Sequence, residues 1–163
     1  MIRHFYFLKW FALFLAVLIC GIAQNRPNEN GRQNEVRSID QCFKHASIKH
    51  GVSERYLRAI GWAESRFQSD RVHVNVNGSV DVGLMQINSI HFPLLEKIGV
   101  SADQLFDPCT NIDVGARMYA AKVNRHGDTL RAIGAYNSEN TVNHPHYVKR
   151  IKNALKEMPE FDV

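Results

Sequence analysis

Glu64 is the residue of this sequence that is best suited to catalysis. It occupies the i+7 position of a helical stripe in which Leu57, Ile60 and Gly61 stand at positions i, i+3 and i+4. Because burial disfavours the charged form of a carboxyl group, we expect this glutamate to have a raised pKa and to hold a proton near neutral pH. Such a group can act as a general acid, for example by protonating the leaving oxygen of a glycosidic bond.

The same placement also has a purely structural interpretation. In that interpretation Glu64 is a partly buried residue paired with Arg58, Arg66 or Arg71. Asp81 is a candidate for a second carboxylate. If it faced Glu64 across a cleft, hydrolysis by two carboxyl groups would be possible. Helical spacing by itself leaves the acid and the ion pair as equal alternatives.

The sequence does not favour metal or nucleophilic catalysis. No two histidines stand at i, i+4 on a predicted helix beside a carboxylate, so we expect no metal and no cofactor. The sequence also lacks the Gly-x-Ser-x-Gly elbow of serine hydrolases. The net charge is +4, and the Lys and Arg residues are scattered rather than clustered, so no nucleic-acid partner is expected.

The first 23 residues have the pattern of a secretory signal peptide. Arg3 and Lys9 precede a nearly unbroken apolar run over residues 10–22, and residues 21–23 supply small side chains at the two positions that a signal peptidase reads. We therefore predict cleavage after Ala23 and a periplasmic domain with no membrane contact after cleavage. An uncleaved N-terminal anchor is the alternative.

Two cysteines remain in the mature chain, Cys42 and Cys109, because removal of the leader also removes Cys20. An even number of cysteines in an oxidising compartment predicts a disulfide. The bridge would close a long loop and stabilise the fold by roughly 4 kcal/mol on the chain-entropy model. Two unpaired buried thiols are the alternative.

The exported part of the chain is predicted to form one domain. Residues 24–38 are rich in asparagine and charge, which predicts a flexible tether. The domain then runs over residues 39–158 without an internal repeat, and residues 159–163 form a tail. A monomer is expected.

Most of this domain is predicted to be helical. Helices are predicted over residues 39–50, from Ser53 through Glu64, and over 81–90, 92–97, 108–126, 128–136 and from Pro145 onward. Val72, Val74 and Val76 alternate with polar residues before Gly78, which predicts a β excursion around residues 72–78 as the single β element. The predicted fold class is therefore mainly α, a compact helical domain with this small β excursion and one disulfide.

Three separated motifs carry a family resemblance. They are Glu64-Ser65-Arg66-Phe67, Gly83-Leu84-Met85-Gln86-Ile87 and Ala135-Tyr136-Asn137. In order and separation they resemble the motifs of the soluble lytic transglycosylases, and the resemblance extends roughly over residues 42–151. It implies a lysozyme-like α+β core. The leader, the two cysteines and the segment 81–83 make the chain most similar to the small transglycosylases that accompany type III and type IV secretion or conjugation machines.

The resemblance implies a reaction and a substrate. Glu64 would protonate the leaving oxygen between MurNAc and GlcNAc in peptidoglycan, and would then take the proton of the muramic acid 6-hydroxyl as a 1,6-anhydro ring closes. No water and no cofactor are required. Lysozyme-like hydrolysis with Asp81 is the alternative mechanism. A wall-binding assembly factor without catalysis is the alternative function, and components of a secretion or conjugation apparatus are the implied partners.

Site residues follow from the same resemblance. Ser65 would orient the substrate or Glu64, Met85 and Gln86 would line the sugar subsites, and Tyr136 would place its hydroxyl near Glu64. For Met85 and Tyr136 a place in the hydrophobic core is the alternative.

Two further residues complete the predicted set. Asn137 would hold its loop or bind sugar, and Tyr147 would approach the sugar site from the last helix. The chain departs from the family pattern at residues 138–140, where Ser-Glu-Asn replaces small residues and glycine, so the edge of the cleft is expected to differ here.

Overall fold

The described residues form six α-helices and three short strands. The structure is a computed structural model that describes residues 29–128 and 130–159. The helices are α1 (Glu29–His50), α2 (Glu54–Ser65), α3 (Phe92–Lys97), α4 (Pro108–His126), α5 (Leu130–Asn137) and α6 (His144–Glu157). The strands are β1 (Val72–Val74), β2 (Val80–Val82) and β3 (Ile87–Asn88), and single 3-10 turns lie at Ser89–His91, Asp103–Phe106 and Thr141–Asn143. The predicted mainly α class with a small β excursion is confirmed.

The predicted leader, residues 1–23, lies outside the described residues, as do residues 24–28 of the tether and 160–163 of the tail. The chain divides into two units, residues 1–36 and 37–163, and every element after α1 belongs to the second unit. Within the described part of the chain, no helix is long and apolar enough to cross a membrane.

The first helix is longer than the sequence predicts. α1 begins at Glu29 rather than Ile39, so residues 29–38 of the predicted tether are helical. The tether prediction depends on a lack of apolar residues, and this lack limits burial but does not prevent helix formation. Extending an existing helix adds one hydrogen bond per residue without a new nucleus, and Glu, Gln and Arg are good helix formers. The end of α1 at His50 agrees with the prediction, and Gly51 follows with a φ of 65°.

Two helix starts follow their predicted caps. The Ser53 hydroxyl accepts a hydrogen bond from the Tyr56 backbone N–H at the start of α2. The Asp107 carboxylate accepts one from the Thr110 N–H, 2.8 Å away, and Pro108 is the first residue of α4. These caps fix where α2 begins, and therefore which turn of the helix carries Glu64.

The predicted helix over residues 81–90 is wrong. β2 pairs antiparallel with β1, with Val72 opposite Val82, and β3 pairs antiparallel with β2, with Val82 opposite Ile87. A turn with positive φ at Gly83 (77°) and Gln86 (51°) connects β2 to β3. Apolar residues here have a spacing that also fits a helix, but pairing with β1 and burial in the core override the local pattern. The β excursion therefore extends beyond residues 72–78 to Asn88.

One hydrophobic core lies under this sheet and between the helices. α2 packs on α6, α4 packs on α5, and α5 packs on α6. The largest fully buried apolar side chains come from five α-helices, from the β2–β3 segment and from the 3-10 turn at Asp103–Phe106: Phe43, Leu57, Ile60, Leu84, Met85, Ile87, Leu105, Ile112, Tyr119, Ile133 and Ile151. This packing of α6 against α2 brings residues near the end of the domain to Glu64.

A disulfide joins Cys42 of α1 to Cys109 in the first turn of α4. The two Cα atoms are 5.0 Å apart and the residues are separated by 67 positions. The predicted bridge is confirmed, and the alternative of two unpaired thiols is wrong. Because the bridge closes a long loop, it restricts the unfolded chain strongly.

Candidate active site

Glu64 lies in the last turn of α2 at the wall of a cleft of about 540 Å³. Its side chain is 13% exposed, so the carboxyl is largely desolvated but reaches the cleft. The cleft combines polar and apolar side chains, as a sugar-binding groove would: Glu64, Asn75, Val76, Asn77, Ser79, Asp81, Gln86, Ile87, Asn88, Ile90, His91, Met118, Tyr136 and Asn137.

Two donors from α6 hold the Glu64 carboxylate. The Tyr147 hydroxyl donates to Oε1 at 2.6 Å, and Nη2 of Arg150 donates to Oε2 at 2.7 Å. The Arg150 guanidinium also stacks on the Tyr147 ring, 4.9 Å from its centroid. Each oxygen of the carboxylate therefore has its own donor.

The arginine that pairs with Glu64 is not among the three that the sequence suggested. Arg58 forms ion pairs with Asp40 and Glu54. Arg66 pairs with Glu157, and the Arg71 backbone carbonyl accepts a hydrogen bond from Gln86. The pairing prediction is corrected: an ion pair exists, but its cation is Arg150.

Burial raises the pKa of Glu64 above its ordinary value, and this effect exceeds the others. The positive charge of Arg150 and the hydrogen bonds from Tyr147 and Arg150 lower the pKa, whereas the nearby Asp81 charge raises it further. Burial also raises the pKa of Tyr147 well above 10, so its hydroxyl stays protonated and remains available as a donor. Glu64 therefore retains its proton to a higher pH than an exposed glutamate does.

Asp81 lies on β2 in the same cleft. The side-chain amide of Asn75 donates to its Oδ2 at 2.9 Å, and that of Asn88 donates to its Oδ1 at 2.6 Å. β3 brings Asn88 directly opposite Asp81 in the sheet. The two carboxyl groups therefore share one cleft, but the side-chain amides of Asn75 and Asn88 engage both oxygens of Asp81.

Ser65 and Met85, which the resemblance places at the substrate site, are both buried. Ser65 is 1% exposed and its hydroxyl donates to the Leu84 carbonyl at 2.7 Å. Met85 is fully buried, and its side chain packs between Gly61 of α2 and Gly115 of α4. Ser65 fastens the turn after β2, and Met85 takes the alternative place in the core. A sequence motif gives the position of a side chain along the chain but does not reveal which side of a tight turn it faces.

Gln86 and Asn137 both line the cleft. The Gln86 side chain also closes its own turn, because its amide donates to the Gly83 carbonyl at 2.8 Å and to the Arg71 carbonyl at 3.2 Å. Just after Asn137, where the chain departs from the family pattern, Glu139 pairs with Lys122 and Arg125 of α4.

Tyr136 and Tyr147 both lie near enough to Glu64 for their charges to interact with it, but the hydrogen bond to the carboxyl comes from Tyr147. The Tyr136 hydroxyl donates to the Met85 carbonyl at 3.2 Å, although its ring lines the cleft with Glu64. Tyr147, which was expected to approach the sugar, is 3% exposed and donates to Glu64 instead. Tyr136 thus supports the turn that carries Gln86, and Tyr147 supports the carboxyl.

Sequence reasoning missed Asn111 and Arg150. Asn111 of α4 is fully buried; its Oδ1 accepts from the Met85 N–H at 2.6 Å, and its amide donates to the carbonyls of Val82 and Leu105. The sequence signal that could have revealed Asn111 is its position as a polar residue beside the apolar stripe of α4. Arg150 stands one helical turn after Tyr147, and that spacing was the signal for a shared face.

Within the described residues, no group of three His, Cys, Asp or Glu side chains is arranged to hold a metal ion. The cleft offers the Glu64 carboxyl, supported by two donors, and Asp81 as a second carboxylate.

The chain is similar in sequence to several known proteins. The chain is 37% identical over 106 residues to X polypeptide of Escherichia coli, a match that covers 64% of this chain and 63% of that protein. It is 38% identical over 98 residues to invasion protein IagB of Salmonella typhimurium, covering 60% and 61% of the two chains. It is 31% identical over 133 residues to a peptidoglycan-binding-like protein of Escherichia coli O157:H7, covering 74% and 80%. The chain thus matches less than two thirds of the length of the first two relatives.

A family model described as the transglycosylase SLT domain matches residues 41–154. The match contains all three motifs, the disulfide and both donors to Glu64. Because it covers well over half of the sequence, this chain belongs to the transglycosylase SLT domain family.

Proposed function

We propose that this protein is a peptidoglycan lytic transglycosylase that cleaves the β-1,4 bond between MurNAc and GlcNAc and leaves a 1,6-anhydroMurNAc end. The observation that carries the proposal is the Glu64 carboxyl, which lies at the cleft with a pKa raised by burial and with both oxygens oriented by donors. Membership of the SLT domain family supports the same assignment.

In the proposed reaction Glu64 acts twice. Its proton passes to the glycosidic oxygen as the bond from that oxygen to C1 of MurNAc breaks, and positive charge develops on the sugar ring. The 6-hydroxyl oxygen of the same sugar then bonds to C1, and its proton returns to Glu64. The carboxyl is regenerated and no water is consumed, so a single catalytic carboxyl is sufficient.

Hydrolysis is the second candidate, and Asp81 is the observation that favours it. Asp81 lines the same cleft and its charge acts on Glu64. The side-chain amides of Asn75 and Asn88, however, already occupy one acceptor site on each of its oxygens, so fewer sites remain to accept a proton from a water. We therefore rank hydrolysis below the non-hydrolytic reaction.

Product analysis on purified sacculi tests the proposal. Wild-type protein is expected to release muropeptides with anhydro ends, and Glu64→Gln is expected to lower the rate by at least about 100-fold, because a general acid contributes 10²–10⁴-fold. Glu96→Gln, an exposed change on α3, is the matched control and should leave the rate unchanged.

Three other outcomes are informative. Reducing ends would establish hydrolysis in place of the transglycosylase reaction. A folded wild-type protein that releases nothing but sediments with sacculi would be a wall-binding factor. Full activity of Glu64→Gln would overturn the mechanism.

We further propose that the protein acts in the periplasm and opens the wall locally for a secretion or conjugation apparatus. The export pattern of residues 1–23 and the similarity to a relative named as an invasion protein support this setting. Mass spectrometry of the exported protein is expected to give a chain that starts at Gln24. A mass that retains the leader would instead support a membrane anchor.

A further inference from the structure

Both donors to Glu64 come from one face of α6, but they differ in exposure. Tyr147 is buried, whereas the Arg150 side chain is 48% exposed, and the Glu64 side chain between them is 13% exposed. The guanidinium reaches the carboxylate by lying over the Tyr147 ring. The arrangement is a clamp, which we define as Tyr147 on Oε1 and Arg150 on Oε2.

The two halves of the clamp respond differently when Glu64 gains a proton. A tyrosine hydroxyl can donate or accept, so Tyr147 can bond to the ionised carboxylate or, after rotation of its hydrogen, to the neutral acid. An arginine side chain has only donors and keeps its charge, so Arg150 favours the ionised form. Of the two donors, only Arg150 therefore discriminates between the two states that the proposed reaction requires.

We propose that Arg150 is a positioning residue that sets the balance between protonated and ionised Glu64 and thereby determines the upper pH limit of turnover. This proposal rests on the proposed role of Glu64 as acid and base. Arg150 acts through Glu64, since it is not among the described residues that line the cleft.

Arg150 counteracts two effects that favour the protonated form of Glu64, namely its burial and the charge of Asp81. Asp81 approaches from β2 with a negative charge, Tyr136 from α5 and Tyr147 from α6 are neutral, and burial disfavours the anion. Arg150 is the cation that lowers the pKa of Glu64 among the described groups that act on it. Without Arg150 the carboxyl would give up its proton less readily.

The ion pair between Arg150 and Glu64 has its largest effect at one step of the proposed reaction. When Glu64 has passed its proton to the leaving oxygen, it is an anion in a largely desolvated position, and the Arg150 charge stabilises it most strongly at that point. The pair also keeps the carboxylate oriented for the return of the proton from the 6-hydroxyl. Arg150 is therefore expected to contribute to kcat rather than to substrate affinity.

The test compares Arg150→Met and Arg150→Lys with the control Lys149→Met. Lys149 is the exposed neighbour on α6, so the control removes the same charge from the same helix. Two quantities are measured on the full mature protein: the NMR titration of the Glu64 carboxyl in ¹³C-labelled samples, and kcat and KM on sacculi as a function of pH. The NMR titration requires no turnover.

In Arg150→Met we expect Glu64 to titrate at higher pH than in the wild type. The upper limb of the kcat profile should move in the same direction, because the acid stays protonated longer. At the pH optimum kcat should fall by about tenfold, less than the 10²–10³-fold typical of a fully buried donor because Arg150 is half exposed, and KM should stay unchanged. Arg150→Lys should restore the titration more fully than the rate, and Lys149→Met should resemble the wild type.

An unchanged Glu64 titration in Arg150→Met would overturn the proposal. A raised KM with an unmoved upper limb would also overturn it, because Arg150 would then bind substrate. If Arg150→Met does not fold, Arg150→Lys and Arg150→Gln decide the same question by the same titration. If wild-type protein shows no turnover but the titration moves as expected, the proposed function fails while the control of Glu64 ionisation by Arg150 stands.

Discussion

Burial and ion pairing act on the Glu64 carboxyl in opposite directions. Burial raises its pKa, whereas the charge of Arg150 and the hydrogen bonds from Arg150 and Tyr147 lower it, and burial is the larger effect. The carboxyl is thus held in position by donors that suit its anion, in surroundings that suit its neutral form. A group that must alternate between these two forms needs neither of them to be strongly favoured.

Stability should therefore depend on pH through Glu64. The pKa of Glu64 is raised in the fold above its ordinary value of 4.5. Between these two pKa values the native state holds more protons than the unfolded chain, so the free energy of unfolding falls as the pH rises through this range. Glutamine does not ionise, so Glu64→Gln removes this pH-dependent decrease in the free energy of unfolding. The variant should be more stable than the wild type at pH 7 by on the order of 1 kcal/mol, with a smaller difference at pH 4. Urea unfolding at both pH values measures it.

Glu96→Gln is the control for this experiment and should show no such pH-dependent gain. If Glu64→Gln is less stable than wild type at pH 7 and equal to it at pH 4, the Arg150 pair outweighs burial and the direction of the shift is wrong.

At the same residue scale, the sequence identified the carboxyl but not its partners. The stripe of Leu57, Ile60 and Gly61 is local, so it predicts a half-buried Glu64 without reference to the rest of the chain. Arg150 lies 86 positions away, and only the packing of α6 on α2 brings it near. Local spacing cannot supply this information and instead points to three arginines that are nearer in the sequence.

Among the elements, the β2–β3 segment shows where pattern reasoning fails. The helices with clear caps at Ser53 and Asp107 begin where they are predicted, because a cap is a local signal. Residues 81–90 carry apolar side chains at a spacing that fits a helix, yet they form parts of two strands, the turn between them and the start of a 3-10 turn. Asn111 of α4, which is distant in the sequence, stabilises this conformation. Its side chain accepts a hydrogen bond from the Met85 N–H and donates one to the Val82 carbonyl.

Gly83 is the position at which this turn tolerates least change. Its φ is 77°, and a Cβ atom there would lie 2.2 Å from Nδ2 of Asn111 and 2.4 Å from the backbone oxygen of Leu105. Gly83→Ala should thus add a steric clash to backbone strain and destabilise the fold by about 3–5 kcal/mol. Because the turn also positions Gln86 and accepts the Tyr136 hydroxyl, activity should fall as well.

Gly99→Ala provides the matched control for that change. Gly99 has a φ of 84° but nothing lies within 4 Å of its Cβ position, so only the strain of about 1–2 kcal/mol should appear. Thermal or urea unfolding of both variants gives the difference. Equal losses would mean that the Asn111 contact does not restrict the turn.

At the scale of the whole molecule, the candidate site is assembled from distant parts of the chain. α2 carries Glu64, the sheet carries Asp81, α5 carries Tyr136, and α6 carries Tyr147 and Arg150. The mainly α class and the disulfide were accessible from composition, caps and cysteine count. The pairing of helices that assembles the site was not, because it depends on how the core packs in three dimensions.

Removal of the disulfide tests how strongly the fold depends on covalent restraint. Cys42 and Cys109 are 67 positions apart, so the chain-entropy model predicts that Cys42→Ala with Cys109→Ala lowers the free energy of unfolding by about 4 kcal/mol. Neither cysteine is among the described residues that line the cleft, so the fraction that stays folded should turn over sacculi at the wild-type rate.

Urea unfolding with and without dithiothreitol measures the stability, and the reductant should affect the wild type but not the double variant. A double variant as stable as the wild type would show that the bridge adds nothing to the packing of α1 and α4, and a reductant effect that persists in it would show that dithiothreitol acts elsewhere.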